Sequence, residues 1–152
     1  MAEPITFTST SARLGLPYLF AGQSQKELFV NEAFAILDAM VHPVVAGEAV
    51  SPPTSPEEGD CWIVSADPGG AWSDKAGQLA YFETGQWAFV EPRHGLAVYD
   101  EAARQFAFFD GTWLRASEPG HPSGGATIDA EAREAIGKIV TALRTSGILP
   151  KT

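Results

Sequence analysis

The chain reads as an α+β protein. It should place an extended N-terminal segment and a buried helix ahead of an antiparallel β-hairpin meander and a C-terminal amphipathic helix, built as an intertwined trimer. Three observations predict this. Residues 24–41 are apolar around most of a helical circumference. Residues 61–116 alternate short aromatic-rich runs with glycine-containing turns. Residues 129–145 repeat apolar side chains at helical spacing between clear start and stop signals. The expected organisation is an attachment segment and assembly helix over 1–43, a proline-rich connector over 44–60, a β domain over 61–116, a flexible linker over 117–127 and a C-terminal helix over 128–152.

Residues 1–12 are rich in Ser and Thr and are expected to be extended. Leu16 precedes Pro17, and a residue before proline is pushed out of the helical region, so Leu16-Pro17-Tyr18 reads as extended. Gly22 breaks the chain, and Gln23 or Ser24 can begin a helix that His42-Pro43 stops. Inside it, Leu28, Phe29, Val30, Ala33, Phe34, Ile36, Leu37, Met40 and Val41 leave little polar circumference. Such a helix needs cover on several sides. Phe29, Phe34 and Leu37 are therefore expected at the core of a trimer, near its three-fold axis. Residues 44–60, with Pro52, Pro53 and Pro56, read as an extended polyproline-like connector.

In the β region, Cys61 to Ser65 is an apolar strand, and Asp67-Pro68-Gly69-Gly70 is a turn. Leu79 to Phe82 and Gln86 to Val90 flank Glu83-Thr84-Gly85, a hairpin signal. Leu96 to Tyr99 and Gln105 to Phe109 flank a charged turn. Asp110-Gly111 marks a third hairpin, as the pair preferred in two-residue primed turns. The string AYFETGQWAFVEP (80–92) echoes AFFDGTWLRASEP (107–119). Two copies are too few for a solenoid. They predict successive hairpins of one meander with the aromatic sides turned inward.

In the C-terminal helix, Thr127 or Asp129 can cap the start, Glu131 suits the first turn, and Arg144 and Gly147 mark the stop. Ala132, Ile136, Ile139 and Leu143 follow a heptad spacing. Isoleucine at core positions favours three or more strands. Two readings stand side by side: a trimer seam through Ile136, Ile139 and Leu143, or an amphipathic helix packed on its own domain.

The composition narrows function. A net charge of −9 argues against a nucleic-acid surface. No run approaches the roughly 20 apolar residues of a membrane span, so no membrane insertion is expected. No secretory signal is visible, and the single cysteine, Cys61, excludes an internal disulfide and reads as a buried thiol. His42, His94 and His121 are dispersed, so no metal site is expected. No nucleophile elbow or phosphate loop occurs. Asp60, Asp74, Glu83, Glu91, Asp100 and Asp110 fall largely at turns, where acidic residues serve the backbone. The expectation is no catalytic residue, no cofactor and no enzymatic activity. Among Trp72, Tyr81, Trp87, Tyr99 and Trp113, the hairpin pattern leaves only Trp72 outside the meander. Trp72 is thus the expected glycan-contacting aromatic, exposed and dispensable for folding.

The strings Arg13-Leu14-Gly15-Leu16-Pro17-Tyr18, Ala21-Gly22-Gln23, Gln25-Lys26-Glu27, Val30-Asn31-Glu32-Ala33 and Leu37-Asp38-Ala39 resemble the start of an uncharacterised family of phage tail proteins, found in prophages and gene-transfer-agent-like particles. The similarity continues through Pro56-Glu57-Glu58-Gly59-Asp60, Trp62-Ile63-Val64, Gly70-Ala71-Trp72 and the stretch from Gly85 to Arg93, covering about residues 13–115. The resemblance implies a structural virion protein, a tail-fibre or tail-tip component assembled in the host cytoplasm. It implies particle attachment through Leu16, Pro17, Tyr18 and Gln23, with partners that are copies of itself, other tail or baseplate proteins, and a host surface glycan. The alternatives are a glycan-binding host-receptor module and, below it, a cell-surface glycan hydrolase.

Overall fold

A computed structural model describes residue 18, residues 26–125 and residues 129–151, with the backbone alone for residues 26–29. The fold is α+β. Helix α1 (Lys26–Met40) is followed by β1 (Val44–Val45), β2 (Glu48–Ala49), β3 (Cys61–Val64), a 3-10 turn (Gly70–Trp72), β4 (Leu79–Glu83), β5 (Gln86–Val90), β6 (Ala97–Asp100), β7 (Gln105–Phe109), β8 (Trp113–Arg115) and α2 (Ala130–Thr145). These elements form two compact units. One holds Met1–Pro43 and Glu48–Pro92, the other Val44–Gly47 and Arg93–Thr152.

The first unit contains α1 and the sheet β2-β3-β4-β5. β2 runs parallel to β3, and β3-β4-β5 is an antiparallel meander. Thr84 and Gly85 both have positive φ, 54° and 76°, the geometry of a two-residue primed turn that matches the strand twist. The Glu58 carboxylate accepts the backbone N–H of both, at 2.7 Å each, so the preceding segment clamps the hairpin tip. The core is Val64, Trp72 and Ala80, with Ala49, Trp62, Trp87 and Phe89 packed against it. α1 buries Asp38 and Ala39.

The second unit contains the sheet β1-β6-β7-β8 and α2. It repeats the plan of the first: a two-residue strand parallel to the first strand of an antiparallel meander. Asp129 caps α2 by accepting the Ala132 N–H at 2.9 Å. At the other end Gly147 has φ 76°, Ile148 N–H bonds to Leu143 C=O and Gly147 N–H to Arg144 C=O, which is a Schellman motif. The chain then folds back: Phe106 N–H donates to Gly147 C=O at 2.7 Å, just where β8 has stopped covering β7. A Cβ on Gly147 would sit 3.2 Å from the Phe106 ring, so glycine is needed there for space as well as for φ.

Three expectations need correction. The proline-rich connector is not wholly polyproline-like, because Val44–Val45 and Glu48–Ala49 pair as strands. These two short strands are also why the single meander becomes two sheets: each seeds a different one. The inward-aromatic rule fails on β7. There Gln105 and Ala107 are buried while Phe106 and Phe108 are exposed. The strand has a strict two-residue period, and its inward face is set by Ala107 opposite the buried Val98. The third hairpin is also longer than a two-residue turn, since Phe109 pairs with Trp113 around Asp110, Gly111 and Thr112.

Candidate functional site

Three of the carboxylates expected at turns, Asp60, Asp100 and Asp110, are engaged there. Asp60 accepts the Glu57 N–H at 3.0 Å. Asp110 pairs with His94 Nδ1 at 2.8 Å on the surface. Asp100 is buried, accepts the Ala103 N–H through Oδ1 and takes Arg115 Nε and Nη2 on Oδ2 at 2.9 and 2.6 Å. No local pattern announces this pair, because Arg115 lies on β8, fifteen positions away. Among the described residues no group of three or more His, Cys, Asp or Glu side chains could hold a metal ion. No described helix is long and apolar enough to cross a membrane.

Of the four residues expected to attach to a particle, Leu16, Pro17 and Gln23 lie outside the described residues. Tyr18 is half-buried against its own chain, and its hydroxyl donates to Glu83 at the end of β4. Burial, then the Glu83 hydrogen bond and the charges of Glu83 and Asp38, push its phenol well above the usual range. Tyr81, on the same strand as Glu83, is also raised, by burial first and by Glu32 and Glu83 next. Tyr18 and Tyr81 thus share a neighbourhood with Glu32 and Asp38 of α1 and Glu83 of β4. The hydroxyl of Tyr18 is consequently engaged within the chain rather than offered to a neighbour.

The residues expected in a trimer core fall on two separate units. Phe29 lies in α1 with its side chain outside the described residues; Phe34 is half-buried and Leu37 is 48% exposed, beside exposed Ile36 and Val41. On α2 the inward residue is Val140, 5% exposed. The heptad residues Ile136 and Ile139 are 41% and 59% exposed, and Leu143 is half-buried. α2 therefore turns Val140 inward on its own unit and leaves Ile136 and Ile139 exposed.

Trp72 overturns the expectation placed on it. It is fully buried and meets Trp87 edge-on, with ring centroids 5.1 Å apart. The glycines before it are what bring it inside. Gly70 has φ 62°, Gly69 N–H bonds to Val50 C=O, and the 3-10 turn swings the indole onto Val64 and Ala80. Its indole N–H is buried and finds no hydrogen-bond partner among the described residues. No face is free for a sugar to stack on.

Two surfaces escaped the sequence reading. Phe106, Phe108 and Leu114 are exposed, and Phe108 pairs directly with Leu114 on one face of β7-β8. The signal was there, in the alternation Gln105-Phe106-Ala107-Phe108. The other is an open groove of about 500 Å³ along α2, lined by His121, Glu134, Gly137, Lys138, Val140, Thr141 and Arg144. The segment expected to be a free linker borders it and is tied to α2 twice, by Glu118 to Arg144 and by the Gly124 C=O to Arg133.

No curated protein and no solved structure matches the chain. A family of proteins of unknown function, DUF2793, matches residues 30–114, which takes in all of α1 beyond its first turn and all but the last residue of the two sheets. The two parallel lead-in strands and all but Arg115 of the echoing hairpins fall inside that span, and on the strength of it the chain belongs to the DUF2793 family.

Proposed function

We propose that this chain is a structural virion protein, a tail-fibre or tail-tip component that links the tail of a tailed phage or related particle to host-surface recognition, and that it works as a homotrimer. The observation that carries the reading is the apolar surface its helices leave uncovered. Single exposed apolar residues are ordinary. Here, however, Ile136 and Ile139 occupy successive heptad core positions, and Ile36, Leu37 and Val41 crowd the end of α1. The AGQxQKExxVNEA string (residues 21–33), similar to phage tail proteins, supplies the particle context. The structural employment of Asp60, Asp100 and Asp110 supports assigning the chain no catalytic step.

Light scattering at micromolar concentration should give three times the 16.2 kDa chain mass, and a monomer would overturn the reading. Phe34→Asp and Ile139→Asp should each lower that mass, since each would place a charge in an apolar contact. Antibodies to the chain should label particle tails, and deletion of residues 1–20 should leave the sheets folded yet keep the chain out of particles.

A glycan-binding module is the second reading, favoured by the exposed Phe106, Phe108 and Leu114 rather than by Trp72. Phe108→Ser should then lower adsorption to host cells without unfolding the sheet. Release of reducing sugars from host envelope by the purified chain would show that catalysis had been wrongly left out.

A further inference from the structure

After β8 the chain returns along α2. Glu118 is tied to Arg144 near the end of the helix, and the Gly124 C=O accepts from Arg133 near its start. Residues 118–124 therefore run antiparallel to α2 as a strap. The groove of about 500 Å³ lies between the two, with His121 on the strap side and Gly137, Val140 and Arg144 among the residues on the helix side.

Folding alone does not account for three features of this groove. Gly137 stands in the middle of α2, where only proline is a poorer choice. A Cβ there would meet nothing within 4 Å, so the chain's own packing does not demand glycine. Arg144 gives Nη2 to Glu118, yet its Nε is buried with no hydrogen-bond partner among the described residues. A buried donor without an acceptor is destabilising. The third feature is charge. Lys138 pairs with Glu134 at 2.6 Å and Arg144 with Glu118, but Arg133 is bonded to a neutral carbonyl, which leaves positive charge over in a chain of net −9.

We propose that the groove binds an acidic sugar, a pyranose carrying a carboxylate, such as a uronic acid. A turn of the Arg144 side chain within the groove presents Nε and a terminal nitrogen as a fork, and the sugar carboxylate is the acceptor that fork lacks. Lys138 adds its charge from the rim. The sugar hydroxyls find acceptors in Glu134 and in Thr141, whose own O–H is already committed to the Gly137 C=O at 2.9 Å. The C–H face of the ring rests on Val140 and on the bare backbone of Gly137. A simple carboxylate would leave the hydroxyl acceptors unused, and a neutral sugar would leave Arg144 unmet. The site lies within the second unit and needs neither the trimer nor a tail.

Titration of the ¹⁵N-labelled full chain with glucuronate tests the proposal, with glucose and acetate as controls. The amides of Gly137, Lys138 and Thr141 and the Nε–H of Arg144 should shift, and glucuronate should bind at least tenfold more tightly than either control. Added salt should weaken it. Gly137→Leu puts a better helix former into the groove. That variant should unfold no earlier than the parent chain on heating and should bind glucuronate at least tenfold more weakly. Lys138→Gln should weaken glucuronate and leave the response to glucose unchanged. No shift at these residues with millimolar glucuronate, or unchanged binding by a folded Gly137→Leu chain, overturns the site. Acetate or glucose binding as tightly as glucuronate overturns the ligand class. A monomeric chain that binds glucuronate would overturn the trimer and leave this site standing, whereas a trimer indifferent to glucuronate would do the reverse.

Discussion

The two sheets share one plan and are held by different chemistry. Each has a two-residue parallel strand leading into an antiparallel meander, and each meander sets a Phe against a Trp across its hairpin: Phe82 on Trp87 at 5.1 Å and Phe109 on Trp113 at 5.2 Å. Inside, they part. The first sheet buries Val64, Trp72 and Ala80 in an apolar cluster. The second buries Val45, Val98 and Ala107 and, beside them, Asp100 and Gln105, and ties Asp100 to Arg115. The topology follows from turns and register, and it tolerates a buried ion pair beside its apolar filling. The difference shows that the aromatic echo in the sequence encodes the hairpins rather than the core.

Substitutions can break this contrast. Trp72→Ala should have the largest effect, about 4 kcal/mol in denaturant unfolding, as a large-to-small change in a closed core. Trp72→Phe should cost distinctly less, since it removes a buried N–H that has no partner among the described residues. If Trp72→Ala leaves stability unchanged, the apolar account of the first sheet is wrong. Asp100→Ala should come next, at about 3 kcal/mol, because Arg115 is left partly buried without its partner. Asp100→Ala and Arg115→Ala together should cost less than the sum of the two single changes. Strict additivity would mean that the pair is not a unit. Gly147→Ala, with a positive φ and the Phe106 ring in the way, should cost about 1–2 kcal/mol.

The pH response should also separate the two units. Tyr18 and Tyr81 both belong to the first, and both are raised above the ordinary 10.0. A raised folded value means stability that is intact below the unfolded value and declines as pH rises past it. Alkaline titration above about pH 10 should therefore weaken the first unit, and Tyr18→Phe should reduce that dependence. The smallest effect is expected at Glu118, which Arg144 lowers. Its contribution to the second unit is present above the ordinary 4.5 and fades below it, and Glu118→Gln should remove that acid dependence.

Much of the secondary structure was legible, because it rests on local signals. Asp129, Glu131, Arg144 and Gly147 bracketed α2, and Thr84-Gly85 marked its hairpin. What stayed hidden was non-local. The parallel pairing of Val44 with Tyr99 joins residues with no shared local pattern. The Asp100–Arg115 pair joins a carboxylate read as a turn former to an arginine that no local pattern singles out. Trp72 misled for a physical reason: a loop flanked by glycines looks like a surface loop, yet the same glycines allow the tight turn that carries an indole inward. On α2, the heptad spacing located the exposed isoleucines but could not tell that Val140 would take the inward face.

Ala46-Gly47 separates β1 from β2, although the two strands serve different sheets. As the chain leaves the ribosome, Val44-Val45 emerges first and must wait about fifty residues for Tyr99 and Asp100, its partners in register. The segment Glu48–Pro92 is made entirely within that interval and holds every strand of the other sheet. The first sheet can thus be finished during synthesis, while the second sheet begins earlier, with β1, and closes later. No single cut in the chain separates the two units, and any fragment starting after Pro92 lacks β1, one edge of its own sheet.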